Sequence, residues 1–349
     1  MLEDISYHMG RDGFNWFVGV VEDRNDPEKI GRVKVRCVGY HTENTQDIPT
    51  EDLPWASVMM PVTAGGNSGI GFSPHFLIEG TWVVGFFRDP SKQEPIIMGA
   101  LPGMNSNELD TKFTVASASK AGGMAIKSGG FKDPNSVYPT ASYISKPDTN
   151  LLGQESIDTH ASNEIKTTLE ADWNTASGTA KQPESTQANA KYPYNHVFET
   201  EVGHYVEFDD TVGNERIHVF HKTGTFIEID PTGNVVIKTV GNVTNIVAGN
   251  MDTYVKGNYS VSVGGNMDVY AVGNLTEKVD GNRKTTITGT ETLEITGAVT
   301  NTLKAALTEE ITGDVTQTLS ATLTANITGA AAIKSSAAMT VGGSTISFN

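Results

Sequence analysis

The chain has 349 residues, of which 38% are apolar and 36 are glycine, and its formal net charge is −16. Such an acidic chain argues against sequence-independent nucleic-acid binding, which needs basic residues to neutralise phosphates, and against electrostatic docking onto anionic lipid. The glycine content and the low apolar content favour an extended or repetitive β architecture over a compact enzyme.

The cysteine content and the N-terminal residues indicate how the chain is stabilised and where it is made. Cys37 is the one cysteine, so no disulfide can form within the chain, and stability must come from packing or assembly. Because Cys37 alternates with Val33 and Val35, we expect a buried thiol that acts as a small apolar side chain. Residues 1–13 do not read as a signal peptide, and no apolar run is long enough to span a membrane. The sequence therefore predicts a product made in the cytoplasm.

The first predicted domain, residues 1–103, contains five short strand segments. They are expected at 14–22, 30–40, 54–63, 80–88 and 94–101. Five short strands in about 90 residues indicate a small closed barrel of the OB type. Barrels of this type often bind oligonucleotides, but the acidic balance of this domain argues against that use.

The second region, residues 104–191, is rich in Ser, Thr, Ala and Asn and poor in large apolar residues. This composition cannot bury an enzyme core, so we predict an extended polar linker. Glycoside hydrolysis needs two carboxylates held across a cleft. The acidic residues Glu164, Glu170 and Asp172 are instead expected to be solvated.

Residues 192–232 are predicted to form strands that lead into a repeat. His218 and His221 are three residues apart on one of these strands and face opposite sides, so they cannot hold a metal as a pair. We predict no catalytic, cofactor-binding or metal-ligating residue.

The final region, residues 233–349, repeats every eight residues. A small residue marks fourteen successive positions, of which three are Ala305, Ala321 and Ala337. The remaining positions are the predicted corner glycines Gly233, Gly241, Gly249, Gly257, Gly265, Gly273, Gly281, Gly289, Gly297, Gly313 and Gly329. Two residues before the small position stand the predicted needle-core residues Val247, Val255, Val263, Val279, Ile287, Ile295, Leu303, Ile311, Leu319 and Ile327.

We call each repeat an octad. The pattern predicts that an octad forms a strand with one apolar face and ends at a corner. The small residue at the corner would allow unusual backbone dihedrals or a close approach of two backbones. One chain of such octads has a narrow apolar strip and unpaired strand edges, so it cannot be stable alone. Three chains that wind together would pair all backbone groups and fill the axis. A sandwich of hairpins would instead give loops of variable length. Arg283 and Glu291 replace apolar residues in successive octads, and either form an ion pair or face solvent.

The predicted fold class is therefore all-β. It comprises an N-terminal five-stranded OB-type barrel, an extended linker and a C-terminal intertwined triple-stranded β-helix in a homotrimer.

Several longer motifs carry a family resemblance. The segments NWFVGVVEDR at 15–24 and GRVKVR at 31–36 resemble the N-terminal barrel of the cell-puncturing spike of T-even-type phage baseplates. The segments GHYVEFDD at 203–210 and HKTGT at 221–225 resemble the strands that lead into its needle. The valine-glycine repeat spikes of type VI secretion are similar and more distant. The resemblance covers about 1–103 and 192–349.

The resemblance implies a structural protein of the virion tail baseplate, assembled in the host cytoplasm. We expect no enzymatic activity, because residues 104–191 have a polar composition and lack the family's lysozyme pattern. The homotrimer of this protein would dock by the barrel on a hub ring protein. A small cone-shaped tip protein would seat at the C-terminal end, and sheath contraction would drive the needle into transient contact with the host envelope. The alternatives that remain open are a cryptic peptidoglycan hydrolase and a receptor-binding fibre.

Two features of the family are not matched in this sequence. The family's lysozyme domain has a Glu, Asp and Thr spacing that 104–191 lacks, and Glu201 with Asp210 is followed by Arg216 where Thr is needed. Some related spikes carry a His-x-His iron site at the tip, whereas the last histidine here is His221.

Overall fold

The computed structural model describes residues 14–73, 75–102, 149–154, 173–176, 178–180, 190–343 and 345. Most of the predicted linker lies outside these residues, and so do Glu164, Glu170 and Asp172. The chain divides into two units, Met1–Met267 and Asp268–Asn349.

The first five strands close into a barrel. They are β1 (Asn15–Asp23), β2 (Val33–Cys37), β3 (Trp55–Val58), β4 (Trp82–Phe87) and β5 (Pro95–Ala100). Their order around the barrel is β1-β2-β3-β5-β4, with β3 and β5 parallel and the other neighbours antiparallel. These strands coincide with the predicted segments, so the all-β fold with an N-terminal OB-type barrel is confirmed.

The barrel core forms as the apolar alternation requires. Val33, Val35 and Cys37 of β2 are fully buried and pack with side chains such as Phe17 and Ile97. The expected burial of Cys37 is confirmed, and this burial raises the pKa of its thiol to about 12.

Strand β2 also buries a charge that the alternation did not indicate. Arg36 is fully buried, and its Nε and Nη2 donate to the two Glu22 carboxylate oxygens at 2.5 and 2.9 Å. Its guanidinium also donates to the carbonyls of Thr42 and Ile48, both at 2.8 Å. This ion pair therefore fastens the 42–50 loop to the barrel wall.

The predicted linker is not wholly extended where it is described. Two short strands, β6 (Trp173–Thr175) and β7 (Gly178–Ala180), form an antiparallel hairpin. Leu152 lies in a helical turn, Leu152–Gln154, and packs against Tyr205, Phe220 and Phe226. A composition average over the linker conceals this apolar contact of Leu152.

The strands before the repeat form a second, antiparallel sheet. They are β8 (Asn195–Glu199), β9 (Tyr205–Asp209), β10 (Arg216–Phe220), β11 (Phe226–Ile229) and β12 (Val235–Lys238). Neighbours in the sheet follow chain order. The ladder pairs His218 with Glu207 on one side and with Glu228 on the other, so these three side chains share one face.

Beyond β12 the backbone bends at every predicted corner. Bends recur at or beside Gly241, Gly249, Gly257 and Gly265 in the first unit. In the second unit they recur at the same eight-residue spacing from Gly273 to Ala337. No regular strand is assigned in residues 239–343 of the single chain.

Candidate assembly interface

The octads leave their backbone without partners in the single chain. Among the described residues 241–343, no backbone N–H donates to a backbone carbonyl. Gly233, at the first corner, has a φ of 81°, and its N–H donates to the Asp230 carbonyl at 2.9 Å. At the other ten glycine corners an added Cβ would meet nothing within 4 Å. No described atom of the same chain therefore requires glycine at these corners. If close packing requires it, the packing atoms must belong to other chains.

The predicted needle-core side chains are all exposed in the single chain. Their exposed fractions run from 42% at Val255 to 63% at Leu303. The apolar side chains that lie two residues after each corner are exposed as well, with exposed fractions from 60% at Val299 to 78% at Leu275. Arg283 pairs with Glu277 at 3.3 Å rather than with Glu291, and both partners are exposed. The octads thus present a long apolar ladder without a cover.

The five-stranded sheet has an unusual polarity. One face is exposed and apolar, and we call it the outer apolar face. It consists of Phe208, Ile217, Val219, Ile227, Ile229, Val235 and Ile237. Charged side chains normally face water and apolar ones the interior. Here the buried face carries charged side chains beside the aromatic Tyr205, Phe220 and Phe226, while the other face is apolar and exposed. A large exposed apolar face marks an interaction surface.

The opposite face of the sheet buries a polar network. Arg216 Nη2 donates to Glu207 Oε2 at 2.7 Å, and Asn195 Nδ2 donates to Glu207 Oε1 at 2.7 Å. Burial alone would raise the pKa of Glu207, but His218 and the Arg216 charge hold that pKa below its usual value. The Tyr205 hydroxyl lies 2.9 Å from His218 Nδ1. These bonds link strands β8, β9 and β10.

The two histidines considered in the sequence analysis have different environments. His218 is buried in the polar network, whereas His221 lies at the turn after β10, with its ring 4.3 Å from that of His204. Within the described ranges, no three His, Cys, Asp or Glu side chains come together as a metal site requires. No helix in the described part of the chain is long and apolar enough to cross a membrane.

The carboxylates considered for glycoside hydrolysis are also separated. Glu201 lies in the turn after β8 and pairs with Arg24 at 2.7 Å. Asp210 follows β9 at the opposite end of that strand, 3.7 Å from His196. Arg216, noted in the sequence only as a departure from the lysozyme pattern, proves to be the buried partner of Glu207.

The barrel exposes an aromatic stripe that sequence reasoning did not identify as a site. Phe14, Trp16 and Val18 alternate along the start of β1 and remain exposed. The rings of Phe14 and Trp16 lie 4.9 and 5.7 Å from that of Phe86 on β4. The period-two alternation was visible, but it does not reveal which face of a barrel strand is outside.

Known proteins resemble this chain. A family model for the Gp5 N-terminal OB domain matches residues 39–196. Protein Gp5 of Vibrio phage KVP40 is 37% identical over 287 residues, which cover 73% of this chain and 64% of that protein. The pre-baseplate central spike protein Gp5 of Enterobacteria phage T4 is 40% identical over 151 residues, which cover 41% of this chain and 22% of that protein.

The chain thus spans less than two thirds of the length of either relative. The similarity nevertheless agrees with the closed five-stranded barrel, and it covers most of this chain. The chain is therefore similar to central spike proteins of T-even-type phages, and its residues 39–196 match the Gp5 N-terminal OB domain.

Proposed function

We propose that the chain is a structural component of a contractile-tail baseplate. In this proposal it is the homotrimeric central spike that punctures the host cell envelope when the sheath contracts. The relative from phage T4 carries the name of a pre-baseplate central spike protein, and the fold agrees with that role. The setting is then the virion tail baseplate.

One observation carries the proposal. The backbone of 241–343 makes no hydrogen bond to other backbone groups of its own chain, although it bends every eight residues and presents apolar residues in register. Buried backbone groups must be paired, so partners of the same sequence are the natural donors and acceptors. Three copies in an intertwined β-helix would pair them while the needle-core residues fill the axis. The corner glycines would then allow the chains to approach closely.

The outer apolar face supports the same assembly. It continues through Val235 and Ile237 of β12 directly into the octads. Burial of such side chains contributes about 25 cal/mol per Å² of apolar surface removed from water. Three copies that bring these faces together would cover a surface that a lone chain leaves wet.

The test is the mass of the full chain in solution. Light scattering at micromolar concentration should give three times the 37.3 kDa chain mass, and the trimer should resist mild detergent. Val255→Asp should lower the trimer fraction because it buries a charge in the axis. Lys256→Asp, at the neighbouring position, should not. A monomeric wild-type chain would contradict the proposal.

The partners follow from the same reading. We propose that the barrel docks on a ring-shaped hub protein and that a small cone-shaped tip protein binds at residues 337–349, where open strand ends offer backbone groups. Part of that segment, Ser344 and residues 346–349, lies outside the described residues. Removing the last ten residues should abolish tip binding and leave the trimer intact. Tip binding that survives the truncation would place the tip protein elsewhere.

We also propose that the chain acts mechanically, without catalysis. The T4 relative is named as a pre-baseplate central spike protein, which agrees with a mechanical role. Peptidoglycan turbidity assays on the full chain should show no clearing, and a glycan-binding screen should show no selective ligand. Clearing would favour a hydrolase, and a selective glycan would favour a receptor-binding fibre.

A further inference from the structure

The barrel and the five-stranded sheet meet through segments that are far apart in the sequence. Arg24 follows β1, Glu79 lies shortly before β4, and Glu201 lies in the turn after β8. Arg24 Nη2 donates to Glu201 Oε1 at 2.7 Å, and Arg24 Nε lies 3.4 Å from Glu79 Oε2. One guanidinium thus bridges a carboxylate of the barrel and a carboxylate of the sheet, and 177 positions separate Arg24 from Glu201.

An aromatic contact lies between the same segments. Phe76 meets Phe198 of β8 edge-on, with ring centroids 4.7 Å apart and an interplanar angle of 87°. Aromatic pairs prefer this arrangement because the positive edge of one ring faces the negative face of the other. The ion pair and the aromatic pair are therefore two independent contacts between the barrel and the sheet.

Both sides of the contact are anchored in regular structure. On the barrel side, Leu77 packs against the core, and Gly80 N–H donates to the Val21 carbonyl at 2.8 Å. On the sheet side, Phe198 pairs with Val206 in the ladder, and Thr200 N–H donates to the His204 carbonyl at 2.8 Å. The contact therefore joins two ordered bodies rather than two loose loops.

Glu79 shows that the barrel side depends on Arg24. Glu79 is 5% exposed, and its Oε2 makes no hydrogen bond, so the guanidinium provides the compensating charge. Burial and the Arg24 charge lower the pKa of the adjacent His75, while Glu79 opposes that shift. His75 thus stays neutral beside the guanidinium at neutral pH.

We propose that five residues form a joint that transmits force within one chain, which we call the barrel–sheet joint: Arg24, Phe76, Glu79, Phe198 and Glu201. Load applied to the barrel passes to the sheet through this joint, and the residues between 102 and 190 do not have to carry it. This mechanical consequence rests on the proposed spike function. The joint itself requires only the contacts described.

The test is cysteine cross-linking in the full chain, which suits this protein because its one native cysteine is buried. Phe76→Cys with Phe198→Cys should react with a short bis-maleimide to give a cross-link within one chain, visible as a monomer-sized band of altered mobility on a denaturing gel. Phe76→Cys with Val212→Cys is the matched control, since Val212 lies in the turn at the opposite end of the sheet. The control pair should cross-link at least tenfold more slowly.

A second arm tests the ion pair. Adding Arg24→Ala to the Phe76 and Phe198 cysteine pair should slow cross-linking several-fold. Adding Arg88→Ala, which removes an exposed ion pair with Glu94, should not. Equal rates for the two cysteine pairs, equal rates with and without Arg24, or cross-links that join two chains would each overturn the joint.

The joint and the proposed function can fail separately. A trimeric mass without the cross-link would overturn the joint and leave the spike function standing. A monomeric mass with the cross-link would do the reverse.

Discussion

Two ion pairs, Glu22–Arg36 in the barrel and Glu207–Arg216 in the sheet, are wholly buried. A buried pair costs desolvation that its attraction only roughly offsets, but loss of one partner leaves an uncompensated charge. Both pairs hold neighbouring strands together, since Glu22 and Arg36 lie on β1 and β2 and Glu207 and Arg216 lie on β9 and β10. Each pair thus joins two strands that lie side by side.

The barrel pair gives a direct prediction. Arg36→Met should lower the free energy of unfolding by about 3–5 kcal/mol, because it strands the Glu22 carboxylate, whose pKa burial already raises. The double variant Glu22→Leu with Arg36→Met should regain most of that loss. Denaturant unfolding followed by tryptophan fluorescence measures both.

A matched control separates burial from charge. Arg88→Met breaks an exposed pair with Glu94 and should cost about 1 kcal/mol or less. A double variant no more stable than Arg36→Met alone would contradict the account of the buried charge.

Acid sensitivity is expected at the first corner. The Asn234 and Thr232 side chains donate hydrogen bonds to Asp230 and lower its pKa to about 2. Because the folded pKa lies below the ordinary value of 3.8, this carboxylate stabilises the fold above about pH 4, and that stabilisation is lost as the pH falls towards 2.

Two alanine variants test the contribution of Asp230 to acid sensitivity. Asp230→Ala should flatten the dependence of the unfolding midpoint on pH between 4 and 2. Asp252→Ala, at an exposed octad position, should leave the slope as in the wild type. An unchanged slope in Asp230→Ala would show that other groups cause the acid sensitivity.

At the scale of elements, the sequence predicts features that depend on local pattern, but not those that depend on how strands pair. The five barrel strands and the bends at eight-residue spacing follow from period-two alternation and from glycine spacing, which are local signals. Local signals do not predict which face of the sheet is apolar, nor that Arg36 and Arg216 are buried. Both depend on which strand lies alongside and on which face is covered. Trp16 and Phe76 escaped notice as interface residues for the same reason.

The octad period can be tested by deletion. Removing 289–296, one whole octad, should leave a trimer with a similar β-rich circular dichroism spectrum, because corners and faces stay in phase. Removing only 289–295 moves every later side chain to the other face and should disrupt the region beyond the deletion. Equal stability of the two deletions would show that the eight-residue spacing does not set the structure.

For the whole molecule, the aromatic stripe on the barrel and the apolar ladder of the octads are separate surfaces with separate expected partners. The sequence predicted a hub at the barrel but not the patch that would meet it. The exposed stripe of Phe14, Trp16 and Val18 supplies a candidate, since clustered aromatic residues dominate binding energy at interfaces.

Trp16→Asp should therefore weaken binding to the hub ring protein of the same baseplate at least tenfold in a pull-down or titration, with the trimer intact. Val212→Asp, which changes an exposed apolar residue in the turn between β9 and β10, is the control and should bind the hub as the wild type does. If Val212→Asp weakened hub binding and Trp16→Asp did not, the hub would dock on the sheet side.

The uncovered octads affect the tendency of a single chain to aggregate before it assembles. A newly made chain carries open backbone edges and apolar side chains, which are the ingredients of uncontrolled aggregation. It also carries a net charge of −16, and like-charged chains repel over the Debye length, about 10 Å at 0.1 M salt. Repulsion of this range delays random encounters, while a correctly aligned set of three chains gains contacts along its full length. Ionic strength during synthesis should therefore set the balance between ordered spikes and precipitate.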